Sequence, residues 1–264
     1  MKNLTQLMKQ VSSKLVMKVM NRLNHIHDSK EASLERKIPP DLSTDDVETV
    51  LAVQPYTMTS PERIVSLVEA VKYVIKNNIN GDIVECGVWK GGSMLAVART
   101  LCQLGDRSRH LYLFDTFEGM TEPTAKDVDF TGYSASTLLD KSNKEDETSI
   151  WCYAPIEAVT RILQSVGYEH EKIHFVKGRV EETIPEQAPQ SIAILRLDTD
   201  WYESTYHELI HLFPRLSPGG VIIIDDYGYW QGARQATDEY INQNQVKILL
   251  NRIDETGRIG VKLP

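Results

Sequence analysis

The chain is poor in cysteine: Cys86, Cys102 and Cys152 are the only three in 264 residues, far apart and in no Cys-x-x-Cys pair. A disulfide framework and a thiolate metal site are therefore both excluded as organising devices, and a reducing, cytoplasmic setting is expected. No apolar run approaches the ~20 residues of a membrane-spanning helix, so integral membrane association is not expected. The N-terminus lacks the charged start and apolar block of a secretory signal. Three familiar signatures are also missing. There is no Gly-x-Gly-x-x-Gly for a dinucleotide, no Gly-Lys-Ser/Thr for a nucleoside triphosphate and no Gly-x-Ser-x-Gly nucleophile elbow. Positive charge is in deficit, with 29 Lys and Arg against 37 Asp and Glu. A net charge of −8 speaks against a general nucleic-acid surface.

What is present is unevenly distributed. Residues 1–37 hold eight Lys/Arg against three Asp/Glu, a local +5 on an acidic chain. Leu4, Leu7, Met8, Val11, Leu15, Val19 and Leu23 recur at three- and four-residue steps, which predicts an amphipathic helix over residues 3–24. Its apolar face calls for burial on its own domain or on a sister subunit, and a homo-oligomer is expected. Its basic face (Lys9, Lys14, Lys18, Arg22) also leaves peripheral membrane contact open. Residues 25–45, with Pro39-Pro40, read as a linker. Ser60 then reads as the N-cap of a second helix, with Pro61 at its first position.

The stretch Gly81-Asp82-Ile83-Val84-Glu85-Cys86-Gly87-Val88-Trp89-Lys90-Gly91-Gly92-Ser93 organises the remainder of the chain. It reads as a strand ending in an acid, a glycine turn, and a helix capped by Ser93. Alone, it fits a plain β–α turn or a cofactor site. Further apolar strands end on Asp115, on Asp198-Thr199-Asp200 and on Asp225-Asp226. Near-continuous apolar strands alternating with helices imply a parallel sheet covered on both faces. Ligands of such sheets bind beyond the strands' C-terminal ends, and an acid ending the second strand is where ribose hydroxyls are held. Asp198, Asp225 and Asp226 should converge from neighbouring strands, and no basic residue close in sequence balances all three. Carboxylates gathered without His or Cys favour a hard cation such as Mg²⁺. Residues 118–150 are polar and aperiodic, as expected of an irregular lid. Val246–Ile253 and Arg258–Leu263 flank a Glu255-Thr256-Gly257 turn and read as a closing antiparallel hairpin.

His207-Glu208-Leu209-Ile210-His211 matches the zinc-protease pattern His-Glu-x-x-His. With Tyr206, Leu209, Ile210 and Phe213 taken as the buried face, both histidines lie off its centre at ~100° per residue, and the match is read as accidental. No histidine lies between His110 and His170, so a carboxylate is the expected proton acceptor.

Four motifs in order resemble the macrocin O-methyltransferase family. They are Gly81–Ser93, Asp115-Thr116-Phe117-Glu118-Gly119-Met120, Leu195-Arg196-Leu197-Asp198-Thr199-Asp200-Trp201-Tyr202-Glu203-Ser204-Thr205, and Leu216-Ser217-Pro218-Gly219-Gly220 with Asp225-Asp226-Tyr227. The resemblance implies a class I methyltransferase α/β fold, Rossmann-like and mostly parallel with a C-terminal antiparallel hairpin. The resemblance covers about Tyr56 to Tyr240, and the N-terminal helical extension and linker over residues 1–55, like the lid, are read from the sequence beside it. Residues 56–264 would be an S-adenosylmethionine-binding domain with the 118–150 lid inserted. It implies Mg²⁺-dependent methylation of a sugar hydroxyl on a glycosylated small molecule, as on tylosin, mycinamicin and novobiocin precursors. A catechol or other non-sugar diol is the alternative acceptor. Residue by residue, Glu85, Gly87 and Ser93 would serve the methionine half of the cofactor and Asp115 the ribose. Gly178, Val180 and Glu181 would face the adenine, while Tyr56, Met58 and Ser60 close over it. Asp198, Asp225 and Asp226 would hold the metal, with Asp198 also taking the proton.

Overall fold

A computed structural model describes residues 40–146 and 149–263. The helix expected over residues 3–24 and most of the linker lie outside the described residues. The compact unit runs from Ser43 to the C-terminus. It opens with helix α1 (Thr44–Val53), whose N-cap Ser43 accepts from the Asp46 amide. Helix α2 (Pro61–Lys76) begins as expected, with Ser60 accepting from the Arg63 amide and Pro61 at the first position. Its buried Ile64, Leu67, Val68, Val71 and Val74 recur at helical spacing and fix which face meets the sheet.

Five parallel strands come next: β1 (Asp82–Cys86), β2 (Leu111–Asp115), β3 (Ile173–Lys177), β4 (Ile192–Leu197) and β5 (Leu216–Ile224). With the hairpin strands β6 (Asn251–Arg252) and β7 (Arg258–Val261), they form one sheet in the order β3-β2-β1-β4-β5-β7-β6. β7 runs antiparallel to β5, pairing Val221 with Val261 and Ile224 with Arg258. The expected hairpin is shorter than its apolar run. Val246, Ile248 and Leu250 pack against the core without joining the sheet.

Both sheet faces are covered. Ile83, Leu111, Leu113, Val221 and Ile223 face one cluster with α2, α3 (Gly92–Leu104) and α5 (Ile156–Gln164). Val84, Phe114, Leu195, Ile222 and Ile224 face the other, with α6 (Val180–Thr183), α7 (Tyr202–Leu212) and α8 (Gln231–Gln243). This alternation is the period-2 consequence of the strand. All six β4 residues are buried, Arg196 among them. No described helix is long and apolar enough to cross a membrane.

Two local expectations are corrected. Ser93 does not cap α3; Gly91 does, in the left-handed conformation (φ 84°), and Ser93 is buried in the first turn. The turn needs that conformation two residues earlier, and a Cβ at Gly91 would lie 2.9 Å from Val159. The described part of 118–150 is irregular over most of its length, as expected, but it is packed and carries a helix that the sequence pattern did not predict. It contains α4 (Ala135–Lys141) and an apolar cluster of Ala135 and Leu139 with Trp201, Trp230 and Ala233. Fully buried Asp127 anchors it by accepting from the Thr124 and Tyr202 amides, at 2.6 and 2.7 Å. The latter bond ties the insertion to the start of α7, a tie that no local periodicity encodes.

Candidate active site

The chain runs outward from β1 to β2 and β3, then returns to β4 beside β1. That reversal opens a crevice between the β1 and β4 loops, at the strands' C-terminal ends. A cavity of about 550 Å³ occupies it. Gly87 (φ 81°) stands where the loops touch, and any Cβ there would collide with the Asp198 carbonyl. Gly92 is pressed as closely, since a Cβ would come within 2.5 Å of the Tyr56 carbonyl. The Tyr56–Ser60 segment therefore lies directly on the glycine turn. Trp89, Cys152 and Asp200 also line the cavity, each non-glycine with positive φ (47°, 48° and 68°). Such strain persists only where surrounding structure over-determines it.

Most residues singled out in the sequence meet at this cavity. Tyr56, Met58, Gly87, Ser93, Asp115, Gly178, Val180 and Glu181 line it, as do Asp198, Asp225 and Asp226. Two sit behind the wall. Ser60 caps α2 and donates to Asp254 Oδ2 at 2.6 Å. Glu85 is 1% exposed and accepts from Arg196 Nη1 at 2.7 Å, while its Oε2 is buried without a partner. Burial raises Glu85 to about 7 against the pull of Arg196.

Asp115 carries the glycine turn. Its Oδ2 accepts from the Val88 and Trp89 amides (2.6 and 3.0 Å), and its Oδ1 from the Phe117 amide (2.6 Å). Burial still lifts its pKa, with those amides pulling the other way.

The acids on β4 and β5 divide into two groups. Arg196 donates to Glu85, to Asp198 Oδ2 (2.6 Å) and to Asp225 Oδ1 (2.6 Å). The Arg63 guanidinium holds the other Asp225 oxygen and reaches Asp254 at 2.8 Å. Two of the three acids are thus paired, Asp198 with Arg196 and Asp225 with both arginines, while no arginine among the described residues pairs with Asp226. One arginine stood in plain view within β4, and the other comes from α2, over 130 residues earlier. The acids whose oxygens lie within 4.8 Å of one another are Asp198, Asp200 and Asp226. Asp200, to which the sequence pattern assigns no role, replaces Asp225 in that group. Burial and mutual repulsion push Asp198 and Asp226 well above the carboxylate range, and burial pushes Asp200 to about 7. Asp226 Oδ2 is buried with no partner. Among the described residues no arginine pairs with Asp200.

The His-Glu-x-x-His match does not form a metal site among the described residues. His207 Nε2 is 3.0 Å from the Ile184 carbonyl. The helix's buried face is Ser204, Thr205, Glu208, Leu209 and Leu212, with Ile210 exposed, so the expected apolar face is rotated. Glu208 is buried and bonded to Thr199 instead.

A family model for Macrocin-O-methyltransferase (TylF) matches residues 5–259. The 8-demethyl-8-(2,3-dimethoxy-alpha-L-rhamnosyl)-tetracenomycin-C 4'-O-methyltransferase of Streptomyces olivaceus is 34% identical over 202 residues, 76% of this chain and 74% of that protein. The demethyldecarbamoylnovobiocin O-methyltransferase of Streptomyces niveus is 31% identical over the same shares. Among solved structures, the O-methyltransferase NovP superposes with a TM-score of 0.68 at 30% identity, covering 79% of this chain and 83% of that one. The calicheamicin methyltransferase CalS11, at 18% identity and a TM-score of 0.59, shares the fold over 86% of this chain and 95% of its own.

Proposed function

Since the chain belongs to the macrocin O-methyltransferase family, we propose that it moves the methyl group of S-adenosylmethionine onto a sugar hydroxyl of a glycosylated natural product, with Mg²⁺. The observation that carries this reading is the convergence of the glycine turn and three mutually close carboxylates on one cavity. The chain's own residues fit both groups. Gly87 and Gly92 let the glycine turn close against the Asp198 and Tyr56 backbone, which brings those segments together around the cavity a cofactor would enter. The carboxylate group offers only hard oxygen donors, and the bare Asp226 Oδ2 lacks a counter-charge.

In this reading Gly87, Ser93 and Asp115 hold the methionine and ribose, with Glu85 behind them. Asp115 keeps acceptor capacity beyond its amide contacts, because an ionised carboxylate has about four lone-pair sites. Gly178, Val180 and Glu181 take the adenine, and Tyr56 and Met58 cover it while Ser60 anchors their segment. Asp198 and Asp226 hold the metal. Asp225, the third ligand implied by resemblance, is neutralised by Arg63 and Arg196 and supports the site from behind. Bound Mg²⁺ would supply the positive charge that lowers the acceptor hydroxyl's pKa. Asp198 is tied to Arg196, so the proton acceptor passes to Asp200, which faces the cavity with no guanidinium beside it. The folded lid and the Tyr56–Ser60 segment exclude water and hold the hydroxyl in line with the sulfonium methyl, a demand met by positioning.

The test is calorimetric titration with S-adenosylmethionine and Mg²⁺, then a methyl-transfer screen. Demethyl rhamnosyl-tetracenomycin, demethyldecarbamoylnovobiocin and mycinamicin III represent the acceptors named for relatives, with a catechol alongside. Transfer to a glycoside supports the sugar reading; transfer to catechol alone replaces it.

A further inference from the structure

We infer that Glu208 is a positioning residue, setting the Asp198-Thr199-Asp200 turn through a buried hydrogen bond to Thr199. Glu208 sits on α7 with 0% exposure. The Thr199 hydroxyl donates to its Oε1 at 2.9 Å, and its Oε2 is buried with no partner. The Cys86 thiol, at the end of β1, lies beside it. A carboxyl group placed in an apolar layer is costly unless its hydrogen bonding repays the burial. Here the bond goes to the residue between two acids of the cavity.

The geometry makes that bond consequential. The turn's backbone is pinned at its start by the Asp198 amide donating to the Cys86 carbonyl at 2.8 Å. It is pinned at its end by the Trp201 amide donating to the Thr199 carbonyl at 2.7 Å. Between these points Asp200 adopts φ 68°, the left-handed region that aspartate enters more readily than most side chains. The Thr199 hydroxyl reaches α7, where Glu208 fixes its rotamer. With Thr199 fixed, Asp198 and Asp200 are presented together within 4.8 Å of Asp226. Burial raises the Glu208 pKa well above its ordinary value, against the pull of the Thr199 hydrogen bond.

This inference rests on the metal reading above for one of its readouts. The experiment compares Glu208→Leu, Thr199→Val and their double variant with Glu208→Gln. Mg²⁺ is titrated calorimetrically into protein loaded with S-adenosylhomocysteine, and crystal structures of the single variants report the turn. Each broken strut should weaken Mg²⁺ by about tenfold or more, the scale seen when groups that orient metal ligands are removed. S-adenosylhomocysteine affinity should stay within about twofold in all variants. The double variant should be no weaker than either single one, because both remove the same link. Glu208→Gln keeps an acceptor oxygen and should restore binding. Thr199→Val is nearly isosteric and guards against misfolding of the Glu208→Leu variant. Folded variants with unchanged Mg²⁺ affinity and an unmoved turn overturn the inference. A wild-type protein that binds no Mg²⁺ overturns the metal reading instead, and the position of the turn in the variant crystals then decides the strut by itself.

Discussion

Arg196 Nη2 donates to Asp225 Oδ1 at 2.6 Å inside the sheet, with Asp225 4% and Arg196 3% exposed. Through its other nitrogen the same guanidinium holds Glu85 and Asp198. A single buried cation thus joins acids from β1, β4 and β5. Removing it strands Glu85 and Asp198 and leaves Asp225 with Arg63 alone. Arg196→Met should therefore cost about 3–5 kcal/mol of unfolding free energy, the scale of a broken buried ion pair. Arg196→Lys should recover little, since one ammonium cannot span the same fork. Urea unfolding measures both, and a loss below about 1 kcal/mol would show that the acids re-solvate freely.

Chelation and substitution should separate the roles of the acids. EDTA and Asp198→Asn should each stop methyl transfer while S-adenosylhomocysteine still binds. Asp200→Asn should retain Mg²⁺ binding and lower kcat by about 10²-fold or more, as expected for loss of a general base. Full activity in EDTA would remove the metal from the reaction.

Asp115→Ala should weaken S-adenosylhomocysteine binding by roughly 1–3 kcal/mol, the cost of leaving buried hydrogen-bonding groups unpaired. The Val88, Trp89 and Phe117 amides lose their acceptor in the same step. Calorimetry on a folded variant checks it, and unchanged affinity rejects the role.

Acid should destabilise the β2–β3 edge. His110 Nδ1 lies 2.7 Å from His174 Nε2, and His174 stacks on Tyr112 at 4.5 Å. Burial first, and then His110, lower the His174 pKa below its usual 6.5. The unfolded chain therefore takes this proton more readily, so the contribution is fully present above the unfolded value of about 6.5 and is lost as pH falls from there through the lower folded value. The urea midpoint should drop between pH 7.5 and 5.5, and His174→Phe should flatten the slope.

The surface histidines should be dispensable. The His207→Ala/His211→Ala double variant should keep most methyl transfer, because neither ring reaches the cavity. Zinc-dependent loss would revive the rejected motif. Deleting residues 1–24 should lower the oligomeric mass by light scattering or the melting temperature, since an apolar face as long as Leu4 to Leu23 needs cover.

Local pattern alone was enough for the sheet, the covering helices and the acids on the strands' C-terminal ends. Apolar runs such as Ile192–Leu197 can only be buried strands, and a residue that ends a parallel strand is delivered to one edge whatever the rest does. Ser60 and Pro61 marked the start of α2 because capping is a three-residue affair. Arg196 was legible as a charge in an apolar strand, which must find partners, although which partners was not. Tertiary structure decided the rest. Arg63 claims Asp225 across 162 residues, and Asp127 fastens the insertion to α7 across 75. Glu208 is buried against Thr199, on a helix face that apolar counting did not choose. Periodicity records which face of an element is buried; it carries no record of which distant charge or hydroxyl meets that face. The division of the acids into an arginine-paired Asp225 and a cavity group of Asp198, Asp200 and Asp226 is therefore a property of the fold.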